Sequence, residues 1–599
     1  MGTISAVSSH KTAGGSFLID TPRLEVVFTP EDFSDQHKLI AQTAEEFANN
    51  EIEPNIERME HKDFALLREL VKRAGDLGLS AVDTPEAYGG LQMDKVTSAI
   101  IADRLSRYGG FSATWGAHTC IGTLPIVYFG TEEQKRKYLP KLASGEIVGA
   151  YALSESSSAS DSLNCRTRAE LSKDGRSYIL NGEKTWITNA GFADLFTIFA
   201  KVDGEKFTAF LVERDRPGFS VGAEEHKMGI RGSSTCPLIL NDCLVPVENV
   251  LGEIGKGHHI AFNVLNVGRF KLGTGSVGAA RHGLEKAIAY AKQRKAFGRT
   301  ISDFGLIREK LATMAAGIFT GESMAYRTVG MMDGGIAALG DPHTVDMPMV
   351  RKVIDEYAVE CSILKVWGSE FLDYVVDEMV QIYGGYGFVE EYPAERAYRD
   401  SRVNRIFEGT NEINRLVITS FLLKRAMSGH LPLMAAIKKL MDEVISGGVA
   451  EDQGNGVFTQ ENILVASAKK LTLFCAGVAS QKYLQALIDQ QEIMGTIADM
   501  VIETYAMESA LLRAQKLAVN GIGDAPGLAG EMARVSLETG FERVEISARR
   551  IIAAICEGDM LRSQMAILRR LSKHEPFDVI TLRQAIAERV IEAGKYIFG

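Results

Sequence analysis

The stretch Ile406-Phe407-Glu408-Gly409-Thr410 sets a carboxylate between two large apolar residues and a glycine. Such neighbours desolvate a carboxyl group and raise its pKa, which suits a general base. Taken alone, a glutamate in a loop is an ordinary surface residue. Gly273-Thr-Gly275-Ser-Val-Gly278 matches G-x-G-x-x-G. That fingerprint needs a strand before it and a helix after it. Here helical sequence with Arg269 and Lys271 lies upstream, so the glycines read as small residues that let two helices approach closely. The eleven histidines show no metal-binding spacing, and the seven cysteines form no C-x-x-C pair. A metal site is not expected, and the thiols suit a reducing compartment.

These residues must be positioned by a large scaffold. A chain of 599 residues is too long for one core. With 46% hydrophobic and 24% charged residues it has the make-up of a folded protein. The net charge of −11 speaks against non-specific nucleic-acid binding. Residues 1–28 read as a flexible tail without a secretory signal. No run approaches about 18 consecutive apolar residues, so no membrane-spanning helix is expected. A bacterial cytoplasm, or a mitochondrial matrix in a eukaryote, is the expected location.

Residues 29–149 read as helical, with breaks at Pro85 and Gly89-Gly90 and an N-cap at Thr131. Between 150 and 257 the period changes to two. Asn181-Gly182 and Asp203-Gly204 predict hairpin turns, and Leu238–Val245 a strand. Residues 258–427 return to helix, beginning with one long buried helix and interrupted at 333–342. Residues 428–599 form an extra helical domain. Its stripes are Ile493, Ile497, Met500, Thr504, Met507 and Leu511, and Leu464, Leu471, Phe474 and Val478, the latter preceded by a capping candidate at Thr459. A loop is expected at Asn520–Gly527.

Residues 381–415, QIYGGYGFVEEYPAERAYRDSRVNRIFEGTNEINR, closely resemble the C-terminal signature of the acyl-CoA dehydrogenase family. Further blocks agree in order: PEAYGG (85–90), GTEEQKRKYLPKLASGE (130–146), NGEKTWITNA (181–190), KMGIRG (227–232), VPVENVLGEIGKG (245–257) and RKAFGRTISDFGLIREKLA (294–312). The resemblance covers about residues 35–425. It implies a mainly α fold with a central β domain: a helical N-terminal domain, a β-barrel-like middle domain and a C-terminal four-helix bundle, here followed by the extra helical domain. It also implies FAD-dependent α,β-dehydrogenation of fatty acyl-CoA to trans-2-enoyl-CoA in β-oxidation.

By position, Glu408 resembles the family's catalytic base. The chemistry fits, because a weakly acidic α-proton needs a carboxylate and the β-hydride needs an acceptor no side chain provides. Relatives that carry the base on the long helix have it just before an arginine. Here that position is Gly268, before Arg269, and glycine cannot take a proton. The resemblance places Leu153, Ser154, Trp186 and Thr188 at the isoalloxazine, and Arg294 and Phe297 at the pyrophosphate and adenine across a subunit interface, with Gln381, Gly384 and Gly385 offering close backbone approach to the same cofactor. Thr410 and Glu412 are expected on the pyrophosphate and adenosine, and Ser160, Arg269 and Gly409 at the substrate.

One block departs from the family pattern. Ser156 and Ala159 stand where a proline and a glycine are usual, so the loop Ser154–Asp161 is expected to be looser or differently shaped. The helical extension resembles that of very-long-chain acyl-CoA dehydrogenases. This implies a homodimer, a long straight-chain substrate, an electron-transferring flavoprotein as acceptor and peripheral membrane contact. Two other readings share the resemblance: an acyl-CoA oxidase that passes electrons to oxygen, and a scaffold for respiratory-complex assembly.

Overall fold

The computed structural model describes residues 12–341, 345–445, 457–521 and 527–598. The first layer is helical: α1 (Asp35–Phe47), α2 (Ile56–Glu60), α3 (Phe64–Asp76), α4 (Lys95–Leu105), α5 (Gly109–Gly116), α6 (Leu124–Phe129) and α7 (Glu132–Ala143). Thr131 caps α7 as predicted, its side chain accepting from the Gln134 N–H. The middle layer holds β1 (Gly149–Ala152), β2 (Arg168–Leu171), β3 (Ser177–Thr188), β4 (Leu195–Val202), β5 (Lys206–Glu213), β6 (Phe219–Val221), β7 (Thr235–Pro246) and β8 (Val250–Leu251). They form one sheet in the order β6-β7-β3-β2-β4-β5-β8, with β1 parallel to β4.

Asp203-Gly204 makes the expected hairpin between β4 and β5, with φ of 52° and 77°. Asn181-Gly182 does not turn the chain. β3 runs straight through it, and the register against β7 shifts between Leu180 and Gly182. A Cβ on Gly182 would lie 2.6 Å from Thr167 Oγ1, so the glycine serves a bulge at a close approach.

A helical bundle follows: α8 (Gly257–Gln293), the small hairpin β9 (Lys295–Ala296) and β10 (Arg299–Thr300), then α9 (Gly305–Ala337), α10 (Met347–Glu356), α11 (Ala358–Tyr383), α12 (Pro393–Ser401) and α13 (Asn411–Met427). The glycine run 273–278 lies inside α8. A Cβ on Gly273 would sit 2.6 Å from the Leu364 carbonyl oxygen, so the helices touch backbone to backbone. The break expected at 333–342 starts later, because α9 continues through Gly334 and Gly335 to Ala337. Residues 342–344 lie outside the described residues.

The extension comprises α14 (Leu433–Ile445), α15 (Thr459–Tyr483), α16 (Gln491–Asn520), α17 (Leu528–Ile555), α18 (Gly558–Leu571) and α19 (Val579–Ala593). Both predicted stripes are buried core. Thr459 is not the cap: it is the first helical residue of α15, with Phe458 at the N-cap position. The loop expected at Asn520–Gly527 lies mostly outside the described residues. The segment Thr459–Asp489 is long and apolar enough to cross a membrane, its most apolar 18-residue window having a mean hydropathy of 1.5. Since 61% of its most apolar window is buried inside the protein, it serves as a core helix here.

The expectation of a flexible tail fails for residues 12–28. Phe17 and Leu18 are buried, Phe17 packs on Tyr505 at 4.7 Å between ring centres, and the Gly15 N–H donates to Glu360 Oε1 at 2.6 Å. The segment wedges between α11 and α16, a long-range docking that local composition does not encode.

Candidate active site

Glu408 lies in the turn between α12 and α13. Its φ is +58°, and that of Gly409 is +79°. The left-handed region costs a glutamate roughly 1 kcal/mol, so neighbours must hold it there. Asn414 Nδ2 donates to the carbonyls of Gly409 (2.8 Å) and Thr410 (3.0 Å), and Arg269 Nε to that of Glu408 (3.3 Å). Thr410 caps α13, accepting from the Ile413 N–H. Lys365 Nζ donates to Asn411 Oδ1 at 2.6 Å, and Asn411 Nδ2 donates to Glu370 Oε1 at 2.9 Å. The turn is thereby tied to α8 and α11.

The carboxylate points at Gly268 of α8. A Cβ there would lie 2.5 Å from Glu408 Oε2, so any larger residue on this wall would displace the carboxylate. Oε2 is cut off from solvent and has no hydrogen-bond partner among the described residues. Burial pushes the pKa up to about 7, against the opposing pull of Arg269 and Lys365. Burial likewise pulls Lys365 down to about 7. The backbone N–H of Glu408 donates to no described residue, which leaves it available to a ligand oxygen.

From Glu408 a cavity of about 250 Å³ runs along α8. The helix lines it with Gly268, Leu272, Gly275, Ala279, His282 and Lys286, a single face at helical spacing. Small residues of α5 and apolar ones of α11 form the other walls. Lys271 also lines it, its charge met by Asp83 at 2.7 Å.

The residues expected at a flavin fall into two groups. The first adjoins Glu408. Thr188 lines the same cavity, and the Thr185 N–H donates to the Ser154 carbonyl at 3.0 Å, setting Leu153 and Ser154 against the Trp186–Thr188 strand end. Trp186 has φ +59° and is 59% exposed, so it is not core packing. Thr410, Glu412, Arg269 and Gly409 belong to the Glu408 turn, Glu412 at the exposed first turn of α13. Ser160 is exposed on the loop after β1. That loop is not loose. Glu155 and Ser158 bridge backbone to backbone, and the buried Glu155 carboxylate accepts from Thr167 N–H and Lys184 Nζ (2.8 Å). Glu155 provides the restraint expected of the missing proline.

The second group is at the far ends of α8 and α11. Arg294 lies 5.6 Å from the Tyr386 ring, and Tyr290 stacks on Tyr383. Phe297 is 95% exposed with φ +50°. Gln381, Gly384 and Gly385 are exposed beside it, and a Cβ on either glycine would meet nothing within 4 Å. None of these five residues lines the Glu408 cavity. Exposed planar side chains and open glycine backbone fit an extended aromatic dinucleotide. Its two ends would use two separate patches.

Sequence reasoning missed Lys365, Asn411, Asn414 and the Asp83–Lys271 pair. Asn411 and Asn414 stood in the signature run, where an asparagine after a glycine-containing turn marks backbone capping. The two lysines carry no local signal.

Models of the acyl-CoA dehydrogenase N-terminal, middle and C-terminal domains match residues 34–146, 150–243 and 255–423, and a further acyl-CoA dehydrogenase C-terminal model matches 467–570. A probable acyl-CoA dehydrogenase of Bacillus subtilis (strain 168) is 49% identical over 97% of this chain and 98% of its own. The human mitochondrial very long-chain specific acyl-CoA dehydrogenase is 37% identical over 74% of this chain and 69% of its own. A crystal structure of acyl-CoA dehydrogenase complexed with FAD from Bacillus anthracis superposes with a TM-score of 0.96 at 50% identity, covering 98% of this chain and all of that one. The strained carboxylate turn, the cavity and these likenesses agree: the chain belongs to the acyl-CoA dehydrogenase family and is an oxidoreductase.

Proposed function

We propose that this protein oxidises long straight-chain fatty acyl-CoA thioesters to trans-2-enoyl-CoA, as a step of fatty acid β-oxidation. FAD is its cofactor and, when bound, supplies the acceptor for the hydride that leaves Cβ. Glu408 takes the α-proton. The observation that carries this reading is the desolvated, unpartnered Oε2 of Glu408 at the head of a long narrow cavity. With substrate seated, water is excluded and the carboxylate faces Cα. The free N–H of Glu408 would donate to the thioester oxygen, where negative charge develops as the proton leaves. Arg269 holds the carbonyl of the same residue, so base and donor are oriented together.

Cavity length supports a long chain. From Gly268 to His282 a helix rises roughly 20 Å. An extended chain advances about 1.2 Å per bond, since the three backbone bonds of one extended residue span about 3.5 Å. The tunnel therefore takes an acyl chain of around sixteen carbons.

The two separated patches of cofactor residues support a homodimer, in which Arg294, Phe297 and Gln381 of one copy complete the site of the other. The electron acceptor in this reading is an electron-transferring flavoprotein; steady peroxide release during turnover would instead mark an oxidase. The test is anaerobic titration of FAD-loaded enzyme with acyl-CoAs of increasing length, followed at the flavin absorption band. Glu408→Gln should bind them yet reduce flavin roughly a thousand-fold more slowly. Near-normal reduction by that variant would refute the role.

A further inference from the structure

The far end of the tunnel is not apolar. Its lining there includes Glu53, Arg107, His282 and Lys286. Three of these are already paired. Lys286 Nζ donates to Glu53 Oε1 at 2.7 Å, and Arg107 donates to Glu45 Oε1 at 2.6 Å and to Asn49 Oδ1. His282 differs. It makes no hydrogen bond to a described residue, and its Nδ1 is cut off from solvent. Burial, together with the nearby Lys286 and Arg107 cations, pulls the ring down to about 4. The imidazole is thus neutral near pH 7, offering one N–H donor and one acceptor. His282 is half-buried, and a ring whose Nδ1 is sealed from water without a partner is unfavourable; a methyl-ended chain seated beside it leaves it so.

We propose that His282 recognises a hydroxyl at the ω end of the acyl chain, which makes ω-hydroxy long-chain acyl-CoAs preferred substrates. The proposal rests on the Glu408 and tunnel reading above and changes nothing at Cα and Cβ; the hydroxyl is bound, not consumed. A hydroxyl both donates and accepts, matching the neutral ring. An ω-carboxylate is disfavoured, since it would bring a full charge to a place where each cation already has a carboxylate partner. The position fits the chain length, because His282 lies about 20 Å along α8 from Gly268.

The experiment compares kcat/KM of the FAD-loaded enzyme for hexadecanoyl-CoA and 16-hydroxyhexadecanoyl-CoA, and for decanoyl-CoA and 10-hydroxydecanoyl-CoA. The ω-hydroxyl should raise kcat/KM about ten-fold on the long chain. It should give no gain on the short one, whose end stops before His282. In His282→Leu the long-chain preference should vanish or reverse. Equal or poorer use of the 16-hydroxy substrate by the unaltered enzyme overturns the proposal, as does a preference that survives in His282→Leu or appears equally on the short chain. These wild-type arms stand even if the variant fails to fold. Absence of flavin reduction with all four substrates would sink the Glu408 reading instead, and the proposal with it.

Discussion

Two buried charge clusters border α8, and they are built on opposite plans. Around Arg281 every charge is met. Its guanidinium donates to Asp103 and, at 2.7 Å, to Glu322. Arg513 of α16 donates to Glu322 (3.0 Å) and to Glu31 (2.6 Å), and the Tyr596 hydroxyl also donates to Glu322. One network thus joins the first helical layer, the bundle, the extension and both ends of the described chain. Around Glu408 the charges are near but not paired: Arg269 and Lys365 influence the carboxylate from other hydrogen bonds, and Oε2 is left without a partner. A saturated network fixes geometry. An unsaturated one holds a reactive group ready for a ligand.

The comparison can be broken at either cluster. Arg513→Met strands Glu31 and leaves Glu322 with Arg281 and Tyr596; it should cost about 3–5 kcal/mol, lowering Tm by roughly 2–4 °C in a chain of this length, while the folded fraction keeps its specific activity. Unchanged melting would show that the network does not bind the extension to the bundle. At the other cluster, Gly268→Ala places a Cβ against Glu408 Oε2. It should lower kcat roughly a hundred-fold with FAD content and Tm nearly unchanged. A near-wild-type kcat would mean that the carboxylate has room to move.

Smaller effects sharpen the contrast. Glu408 acts as a base only when ionised, so kcat/KM should rise with pH through about 7. Lys365 lowers the pKa of Glu408, so Lys365→Met should move that rising limb to higher pH; a shift downward would contradict its placement. The smallest effect is on stability. The folded pKa of Glu408 lies above its ordinary value of 4.5. Between 4.5 and about 7 the unfolded chain loses its proton first, so the native state is penalised increasingly with pH and fully above 7. Glu408→Gln removes that penalty and should melt a few degrees higher at pH 8, with the gain fading toward pH 5.

The layer order was legible because period and motif agreed along the chain. The long helix α8, the Asp203-Gly204 hairpin and the buried stripes of the extension all follow from local pattern. Asn181-Gly182 misled because the same dipeptide serves a turn or a bulge, and only Thr167, across the sheet, decides which. Glu408 stood out through its surrounding run, yet its strain is held by Arg269 and Lys365, more than forty residues away or further in sequence. The tunnel was invisible for a different reason. Its glycines and alanines repeat with the period of a helix-packing face, and period alone does not distinguish a face that meets another helix from one that meets a cavity.

The wedge of residues 15–18 between α11 and α16 bears on how the protein is made. Phe17 emerges from the ribosome early, but its partner Tyr505 follows about 490 residues later, some 25–100 s at ordinary elongation rates. During translation this segment therefore waits without its partner until α16 has been made. A chain halted before α16 could not close this seam.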